Sequence, residues 1–152
     1  MSADNIKCEA LGKYISIVYR QGNAFLTKKF SKYNLSSGQY MFLIQLYAKD
    51  GLSQEELSYK LNIDKGTTAR AIQKLEQEGY IIRIKDEKDK RTNRIYLTEK
   101  AKEIRIGFFD ILINWNNILT SGLTEDEVEI AIMLMKKIAY NNLNETPTHI
   151  DS

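Results

Sequence analysis

Residues 52–101 constrain the fold of this chain more than any other stretch, because they read as two short helices, a tight turn between them, and two brief strands. Ser53 and Glu56 have the spacing of a capping box, which predicts a helix from residue 54 to about residue 61. So short a helix is not stable alone. It must pack against its neighbours.

A second helix is expected directly afterwards. Asn62 and Ile63 form a break, Asp64 is a suitable N-cap, and Gly79 is a suitable stop. Apolar side chains recur between them at helical spacing, namely Ala71, Ile72 and Leu75. Two helices with this spacing are typical of a helix-turn-helix.

Residues 80–84 and 93–97 are rich in β-branched and aromatic side chains, which favours two strands. The polar stretch 85–92 predicts the loop of a hairpin between them. A helix-turn-helix followed by a hairpin is a winged helix. We therefore expect a mainly α fold with a small β-hairpin wing.

Amphipathic helices are predicted before this winged helix-turn-helix. Apolar side chains three, four or seven apart mark a long helix over residues 6–30. Ser36 and Gln39 then have capping-box spacing, before a helix that is apolar nearly all round and has Gly51 as its natural C′ residue. That helix should be buried.

Two helices are also predicted after the wing. Thr98 is a suitable N-cap for one long helix that Gly122 ends. Thr124 and Glu127 form a further capping box, and the last helix should reach about residue 143.

These elements predict one domain over residues 1–152, with a winged-helix core at 36–101, flanking helices at 6–33 and 102–143, and a disordered tail at 144–152. The flanking helices carry more apolar surface than a small winged helix can cover, which favours a twofold homodimer. The alternative is that they close only the monomer's own core. The expected dimer core consists of Leu11, Ile15, Trp115, Ile132 and Met135.

The net charge of +2 is unevenly distributed. Residues 60–105 carry 13 Lys and Arg against 8 Asp and Glu, whereas the remainder carries 9 against 12. A basic centre between neutral or acidic helices fits a chain that presents one face to a polyanion. On charge alone, a merely solvated surface explains the pattern equally well.

Composition argues against several protein classes. No apolar run approaches the ~20 residues that span a bilayer, and no secretory signal is visible, so we expect a cytoplasmic protein without membrane contact. One cysteine, Cys8, and one histidine, His149, leave no internal disulfide and argue against a zinc site. Without a Gly-rich phosphate loop or a nucleophile beside a base, we expect no catalytic residues, no cofactor and no enzymatic activity.

The second helix of the helix-turn-helix is expected to place its outward N-terminal residues in the major groove of double-stranded DNA. Arg70 suits a bidentate contact with guanine, and Lys74 suits a phosphate. For any one of these residues, the alternative is an exposed side chain without a partner. The full expected set is Lys65, Gly66, Thr67, Ala69, Arg70 and Lys74.

The wing loop has the width and charge to enter a minor groove, where arginine is favoured. Asp89 lies two residues before Arg91, so its carboxylate is suited to brace either the guanidinium or its backbone. An exposed salt bridge of no consequence is the alternative. The wing residues expected at DNA are Lys88, Asp89, Lys90, Arg91 and Arg94.

Residues 89–98, DKRTNRIYLT, resemble the Asp-x-Arg wing and following Leu-Thr helix start of the MarR family of dimeric winged-helix transcription regulators. Residues 75–81 resemble the end of that family's recognition helix, and the similarity extends over nearly the whole chain. The resemblance implies that Arg91 enters the minor groove, Asp89 holds the wing, and Arg70 lies in the major groove. It also implies that the terminal helices interlock two protomers.

The resemblance further implies a repressor that binds a pseudo-palindromic operator and releases it on binding a small, often phenolic, anion or on thiol oxidation. Candidate lining residues of such an effector pocket are Tyr19, Tyr40, Tyr47 and Trp115, although aromatic residues at helical spacing more often belong to the core. Cys8 lies about one turn nearer the N-terminus than the reactive cysteine expected in the peroxide-sensing branch, which favours an inert thiol.

Two rival functions remain at this point: a thiol-redox-sensing regulator that uses Cys8, and a winged helix used only for protein contact. A protein-contact module needs neither an outward cationic cluster nor an arginine-bearing wing. This chain has both, at Lys65, Thr67 and Arg70 and at Arg91.

Overall fold

The computed structural model describes residues 10–141, which form seven α-helices, a 3-10 turn and a two-stranded sheet. In chain order they are α1 (Leu11–Phe30), the 3-10 turn (Ser31–Tyr33), α2 (Tyr40–Ala48), α3 (Gln54–Leu61), α4 (Lys65–Gln77), β1 (Ile81–Lys85), β2 (Asn93–Leu97), α5 (Glu99–Glu103), α6 (Arg105–Thr120) and α7 (Glu125–Asn141). The expected mainly α fold with a small hairpin is confirmed. The tail at 144–152, Cys8 and His149 lie outside the described residues.

α3 and α4 form the expected helix-turn-helix. The capping box is complete, since the Ser53 hydroxyl accepts from the Glu56 amide and the Glu56 carboxylate accepts from the Ser53 amide at 2.7 Å. Asn62 ends α3 in the left-handed region with φ 50°. Asp64 then caps α4 by accepting from the Thr67 amide at 2.8 Å.

β1 and β2 pair antiparallel, from Ile81 opposite Leu97 to Lys85 opposite Asn93. β1 begins one residue later than expected, because the Tyr80 amide donates to the Leu75 carbonyl at 3.0 Å and so belongs to the end of α4. Three residues, 78–80, therefore connect α4 to the hairpin.

Gly51 does not serve as the C′ residue of α2, contrary to expectation. α2 ends at Ala48, and Lys49 is already extended. Gly51 instead takes φ 79° beside β2, where its amide donates to the Ile95 carbonyl at 2.9 Å. A Cβ at this glycine would lie 2.9 Å from the Tyr96 ring, so both the backbone conformation and the space require glycine.

The capping box expected at Ser36 is only half formed. The Gln39 side chain accepts from the Ser36 amide at 2.8 Å, but the Gln39 amide donates to the Ser36 carbonyl rather than to its hydroxyl. Residues 37–39 therefore form a turn, and α2 starts at Tyr40. The third expected box, at Thr124 and Glu127, is complete.

Two helix boundaries differ from expectation. The long first helix was expected from residue 6, but Ala10 has an extended backbone and α1 begins at Leu11; residues 6–9 lie outside the described residues. The single long helix expected after Thr98 is two helices divided at Ile104. The reason is a long-range contact: the Tyr47 hydroxyl donates to the Ala101 carbonyl, which a continuous helix would use for its own hydrogen bond.

The core lies between the winged helix and the helices that flank it. Its centre is aromatic, with the Phe108 ring 5.0 Å from Phe30 and 5.2 Å from Tyr47, measured between centroids. Burial of such large apolar side chains is the main stabilising contribution in a domain of this size. Other fully buried members are Phe42, Leu43, Leu46, Leu57, Ile72, Leu75 and Ile95.

Gly22 in the middle of α1 has a packing role. α1 crosses α6 so closely that a Cβ at Gly22 would lie 3.1 Å from the indole of Trp115. That indole also stacks on Phe25, with centroids 5.4 Å apart. The glycine that weakens the helix is therefore the residue that lets Trp115 pack against it.

Candidate nucleic-acid interface

The buried face of α4 fixes which side chains point outward. Thr68, Ile72 and Leu75 have no more than traces of exposed surface, and Ala71 is also buried. The orientation expected from the sequence is therefore confirmed. Lys65, Gly66, Thr67, Arg70 and Lys74 are exposed on the opposite side, while Ala69 is only half-buried at its edge.

The exposed start of α4 carries a connected set of polar groups. The Asp64 carboxylate accepts from both the amide and the hydroxyl of Thr67, at 2.8 and 2.7 Å. The Thr67 hydroxyl in turn accepts from the Arg70 guanidinium at 3.1 Å. The hydrogen bonds from Thr67 hold the pKa of Asp64 below its usual value, so this carboxyl is ionised at neutral pH.

Lys74 lies one turn further along α4 and pairs with Glu78 at 3.0 Å. The hydrogen bond from Lys74 lowers the pKa of the Glu78 carboxyl. An exposed pair of this kind contributes little to stability and exchanges readily for another anion. Lys74 is therefore available to a phosphate.

The wing loop is organised around Asp89. Its carboxylate accepts from the Arg91 backbone amide at 3.1 Å and from the Thr92 hydroxyl at 3.3 Å, while its carbonyl accepts from the Thr92 amide. Of the two arrangements that the sequence allows, bracing of the backbone is the one observed. The Arg91 guanidinium is exposed and has no hydrogen bond or ion pair among residues 10–141.

Arg94 lies at the base of the wing rather than at its tip. Its guanidinium donates to the Gly51 carbonyl at 3.0 Å and to Asp86 at 3.3 Å, and it lies 3.8 Å from the Glu56 carboxylate. These contacts join the hairpin to the start of α3. The exposed cations of the loop are Lys88, Lys90 and Arg91.

A second arginine joins the wing to α4. Arg83 donates to both carboxylate oxygens of Glu76, at 2.7 and 3.1 Å. The hydrogen bonds raise the pKa of Arg83 and lower that of Glu76. The sequence analysis missed this pair, because it joins residues seven apart in different elements and no local pattern marks it.

α3, the start of α4 and the wing line one cavity of about 200 Å³. Lys65 of α4 and Arg91 of the wing both line this cavity. The two elements expected to contact DNA therefore border one surface. The sequence analysis did not single out its remaining lining residues, Gln54, Glu55, Ser58, Thr92 and Asn93. Gln73, exposed three residues after Arg70, was also missed and is recoverable from the helical period.

The expected dimer-core residues are largely exposed in the single chain. Leu11 is 65% exposed, Ile15 41%, Ile132 51% and Met135 48%, whereas Trp115 is half-buried against Phe25. α7 has no buried residue along its whole length.

Three of the four aromatic residues expected around an effector lie around one aromatic cluster: Tyr40 and Tyr47 pack on the paired rings of Phe30 and Phe108, and Tyr19 is close enough to Tyr40 to act on it electrostatically. Tyr40 stacks on Phe30, and burial raises its pKa; Tyr47 packs on Phe108, and burial raises its pKa to about 12. Tyr19 is exposed, and Trp115 lies on α6. An open groove of about 470 Å³ lies between α1 and α6 and is lined by Phe25, Lys29, Asn114, Asn117, Ile118 and Ser121.

Within residues 10–141, no helix is both long and apolar enough to cross a membrane. Over the same range, no three His, Cys, Asp or Glu side chains gather in a way that would hold a metal ion.

The sequence is similar to known transcription regulators. The model of the MarR family matches residues 35–92. The chain is 30% identical to an uncharacterized HTH-type transcriptional regulator of Bacillus subtilis, YybA, over 84% of this chain and 85% of that protein. It is 31% identical to the HTH-type transcriptional regulator BilQ of Clostridium symbiosum, over 82% and 88% of the two chains.

Solved structures agree with the sequence comparisons. A MarR transcriptional regulator from Methanosarcina mazei is 45% identical and superposes with a TM-score of 0.82, over 90% of this chain and 98% of that one. A putative MarR family regulator from Listeria monocytogenes, crystallised with a 26mer DNA, is 26% identical with a TM-score of 0.85, over 90% and 91%.

Proposed function

The chain belongs to the MarR family of winged-helix transcription regulators, which bind DNA and are not enzymes, and from this premise we propose that it is a homodimeric repressor of a pseudo-palindromic operator. Two protomers would present two recognition helices to half-sites about one turn of DNA, ~10 bp, apart. In this arrangement the winged-helix core contacts DNA and the flanking helices form the dimer.

The observation that carries the proposal is the common surface of α4 and the wing. Lys65 and Arg91 line one cavity although 26 positions of chain separate them, and both side chains lack a partner among residues 10–141. Two unpaired cations at one surface favour a polyanion. α4 would lie in the major groove, with Arg70 at a base edge, while Arg91 would enter the neighbouring minor groove.

The exposed faces of the flanking helices support the homodimer. α7 buries none of its residues in the single chain, yet Ile130, Ile132, Met133, Leu134 and Met135 are each about half exposed. Leu11 and Ile15 on α1 add further apolar surface. So much exposed apolar surface is rare on a monomer and is normally covered by a partner. A second copy of the chain would cover the apolar faces of α1 and α7 at once.

Release by a small effector is the finer part of the proposal. The groove between α1 and α6 has a size suited to a small molecule, and it combines the Phe25 ring with the Lys29 ammonium and two asparagine amides. An aromatic anion would place its ring on Phe25 and its charge near Lys29. Of the aromatic residues expected to surround an effector, Trp115 lies nearest this groove, through its stacking on Phe25.

Selection of bound duplexes from a random DNA pool tests the proposal and yields the operator. We expect an enriched inverted repeat, a complex with the mass of two protomers, and binding that weakens steeply as salt is raised, because neutralised phosphates release counterions. Addition of benzoate or 2-hydroxybenzoate to the complex tests release. A monomer at micromolar concentration, or enrichment of a single asymmetric half-site, contradicts the homodimer.

A further inference from the structure

The Arg70 guanidinium is not free at the surface of α4. It donates through Nη2 to the Thr67 hydroxyl at 3.1 Å, and that hydroxyl donates to the Asp64 carboxylate at 2.7 Å. The carboxylate also accepts from the Thr67 amide at 2.8 Å. Three residues at positions i, i+3 and i+6 therefore form one chain of hydrogen bonds along the outward face of the helix.

The direction of these bonds determines what each residue can still offer to DNA. A threonine hydroxyl has one proton, and here Asp64 accepts it, so Thr67 cannot also donate to a base or a phosphate. The Arg70 guanidinium has five N–H groups and uses one. Four remain, which is enough for a bidentate contact with the O6 and N7 atoms of guanine.

Electrostatics explains why an acid is needed here. The guanidinium folds back toward the N-terminus of α4, and its Nη1 atom lies 3.5 Å from where a Cβ on Gly66 would be. The free amides at a helix N-terminus disfavour a cation. The Asp64 carboxylate, exposed on the same turn, offsets that repulsion.

We propose that Asp64 and Thr67 are positioning residues that hold Arg70 in the conformation in which it reads a base pair. The inference rests on the proposed base contact of Arg70, and it gives Thr67 a positioning role in place of a direct DNA contact. An arginine side chain loses considerable rotamer freedom when it is fixed on DNA. Ordering it beforehand makes recognition more selective, because less freedom is lost on binding.

The test is a set of binding titrations of the full-length protein on the selected operator, on operators with single base pairs replaced, and on scrambled duplex. Thr67→Val removes the hydroxyl at nearly constant volume. We expect it to reduce discrimination at the base pair read by Arg70 by roughly two- to tenfold, the scale for ordering one long side chain. Affinity for scrambled DNA should not change. Thr67→Ser keeps the hydroxyl and should restore discrimination.

A double-mutant cycle separates positioning from contact. If Thr67 acts through Arg70, Thr67→Val has no further effect in an Arg70→Ala background. Equal losses in both backgrounds mean that Thr67 contacts DNA itself, which overturns the inference alone. The inference also fails if Arg70→Ala relaxes base preference and Thr67→Val does not. If Arg70→Ala leaves base preference unchanged, the proposed base contact and the inference both fail. Melting curves of each variant identify any loss caused by unfolding.

Discussion

The hydroxyl of Ser58 donates to the hydroxyl of Thr68 at 2.8 Å, and this buried hydrogen bond joins α3 to α4. Both residues lie on the inward faces of their helices, among Leu57, Ile72 and Leu75. Apolar packing alone permits small changes in the angle between two helices, whereas a hydrogen bond of fixed length does not. The bond therefore helps to set the angle between α4 and α3.

The first prediction concerns this bond. Ser58→Ala leaves the fully buried Thr68 hydroxyl without a partner, which should lower the free energy of unfolding by about 1–3 kcal/mol. Ser58→Ala with Thr68→Val should cost less than the sum of the two single changes, because no polar group is then left unsatisfied. Urea unfolding of the four proteins measures this. Strict additivity shows that the two hydroxyls are not coupled.

The homodimer gives the second prediction. Ile132→Glu should weaken assembly, because it places a charge in the apolar surface that a second copy would cover. Ile84→Glu is the matched control: Ile84 is 50% exposed and Ile132 51%, but Ile84 lies in the wing. Sedimentation should show a lower dimer fraction for Ile132→Glu alone. Equal behaviour of the two variants indicates that α7 is not part of the dimer core.

The third prediction separates base contact from phosphate contact on α4. Arg70→Ala should lose ~1–3 kcal/mol of discrimination between operator and scrambled DNA, whereas Lys74→Ala should weaken both duplexes alike. Lys74 is a suitable control because it is exposed on the same helix and, among residues 10–141, pairs only with Glu78. Titration of each variant on both duplexes decides the matter. Equal losses for Arg70→Ala demote that residue to a phosphate contact.

The fourth prediction concerns acid stability. The hydrogen bond from the Ser53 amide lowers the pKa of Glu56 below its ordinary value of 4.5. A lowered carboxyl pKa gives stability that is fully present above the unfolded pKa and is lost as pH falls through the folded pKa. Glu56→Gln keeps an acceptor for the capping box but cannot titrate. Melting temperature should therefore fall less steeply below pH 5 in the variant than in the parent. Identical acid slopes would show that Glu56 does not contribute to acid unfolding.

Local patterns predicted most of the fold, because helix caps and apolar periods depend on residues only a few positions apart in the sequence. The helix-turn-helix was predictable from Ser53, Glu56 and Asp64 for that reason. The division at Ile104 was not, because its cause is a hydrogen bond from Tyr47, more than 50 positions away. Long-range contacts of this kind leave no local period.

The candidate site likewise contains residues that local sequence predicts and contacts that it does not. The outward face of α4 follows from helical geometry, so Lys65, Thr67 and Arg70 could be named in advance. The pairing of Arg83 with Glu76 and the anchoring of Arg94 on Gly51 depend on how the hairpin folds back over the helices. Charge counting cannot tell such an anchoring arginine from a free one. Of the three wing arginines, Arg83, Arg91 and Arg94, only Arg91 has a guanidinium without a hydrogen bond or ion pair within residues 10–141.

The last prediction concerns Arg91. If its free guanidinium enters the minor groove, Arg91→Ala should weaken binding most on operators with A·T-rich flanks, where the groove is narrow and its negative potential strongest. Arg91→Lys should recover only part of the loss, because an ammonium is more strongly hydrated than a guanidinium. Titrations with varied flanks and a fixed core operator measure both effects.

Asp89 provides the internal control for Arg91. Its carboxylate holds the Arg91 backbone amide at 3.1 Å and the Thr92 hydroxyl, and it does not pair with the guanidinium. Asp89→Ala should therefore give a weaker form of the Arg91→Ala defect with the same flank dependence, and Asp89→Asn, which keeps an acceptor oxygen, a weaker one still. Equal weakening of every flank by Arg91→Ala means that the wing touches only phosphates. No weakening at all means that the wing does not reach the DNA, and Arg91 is then not a binding residue.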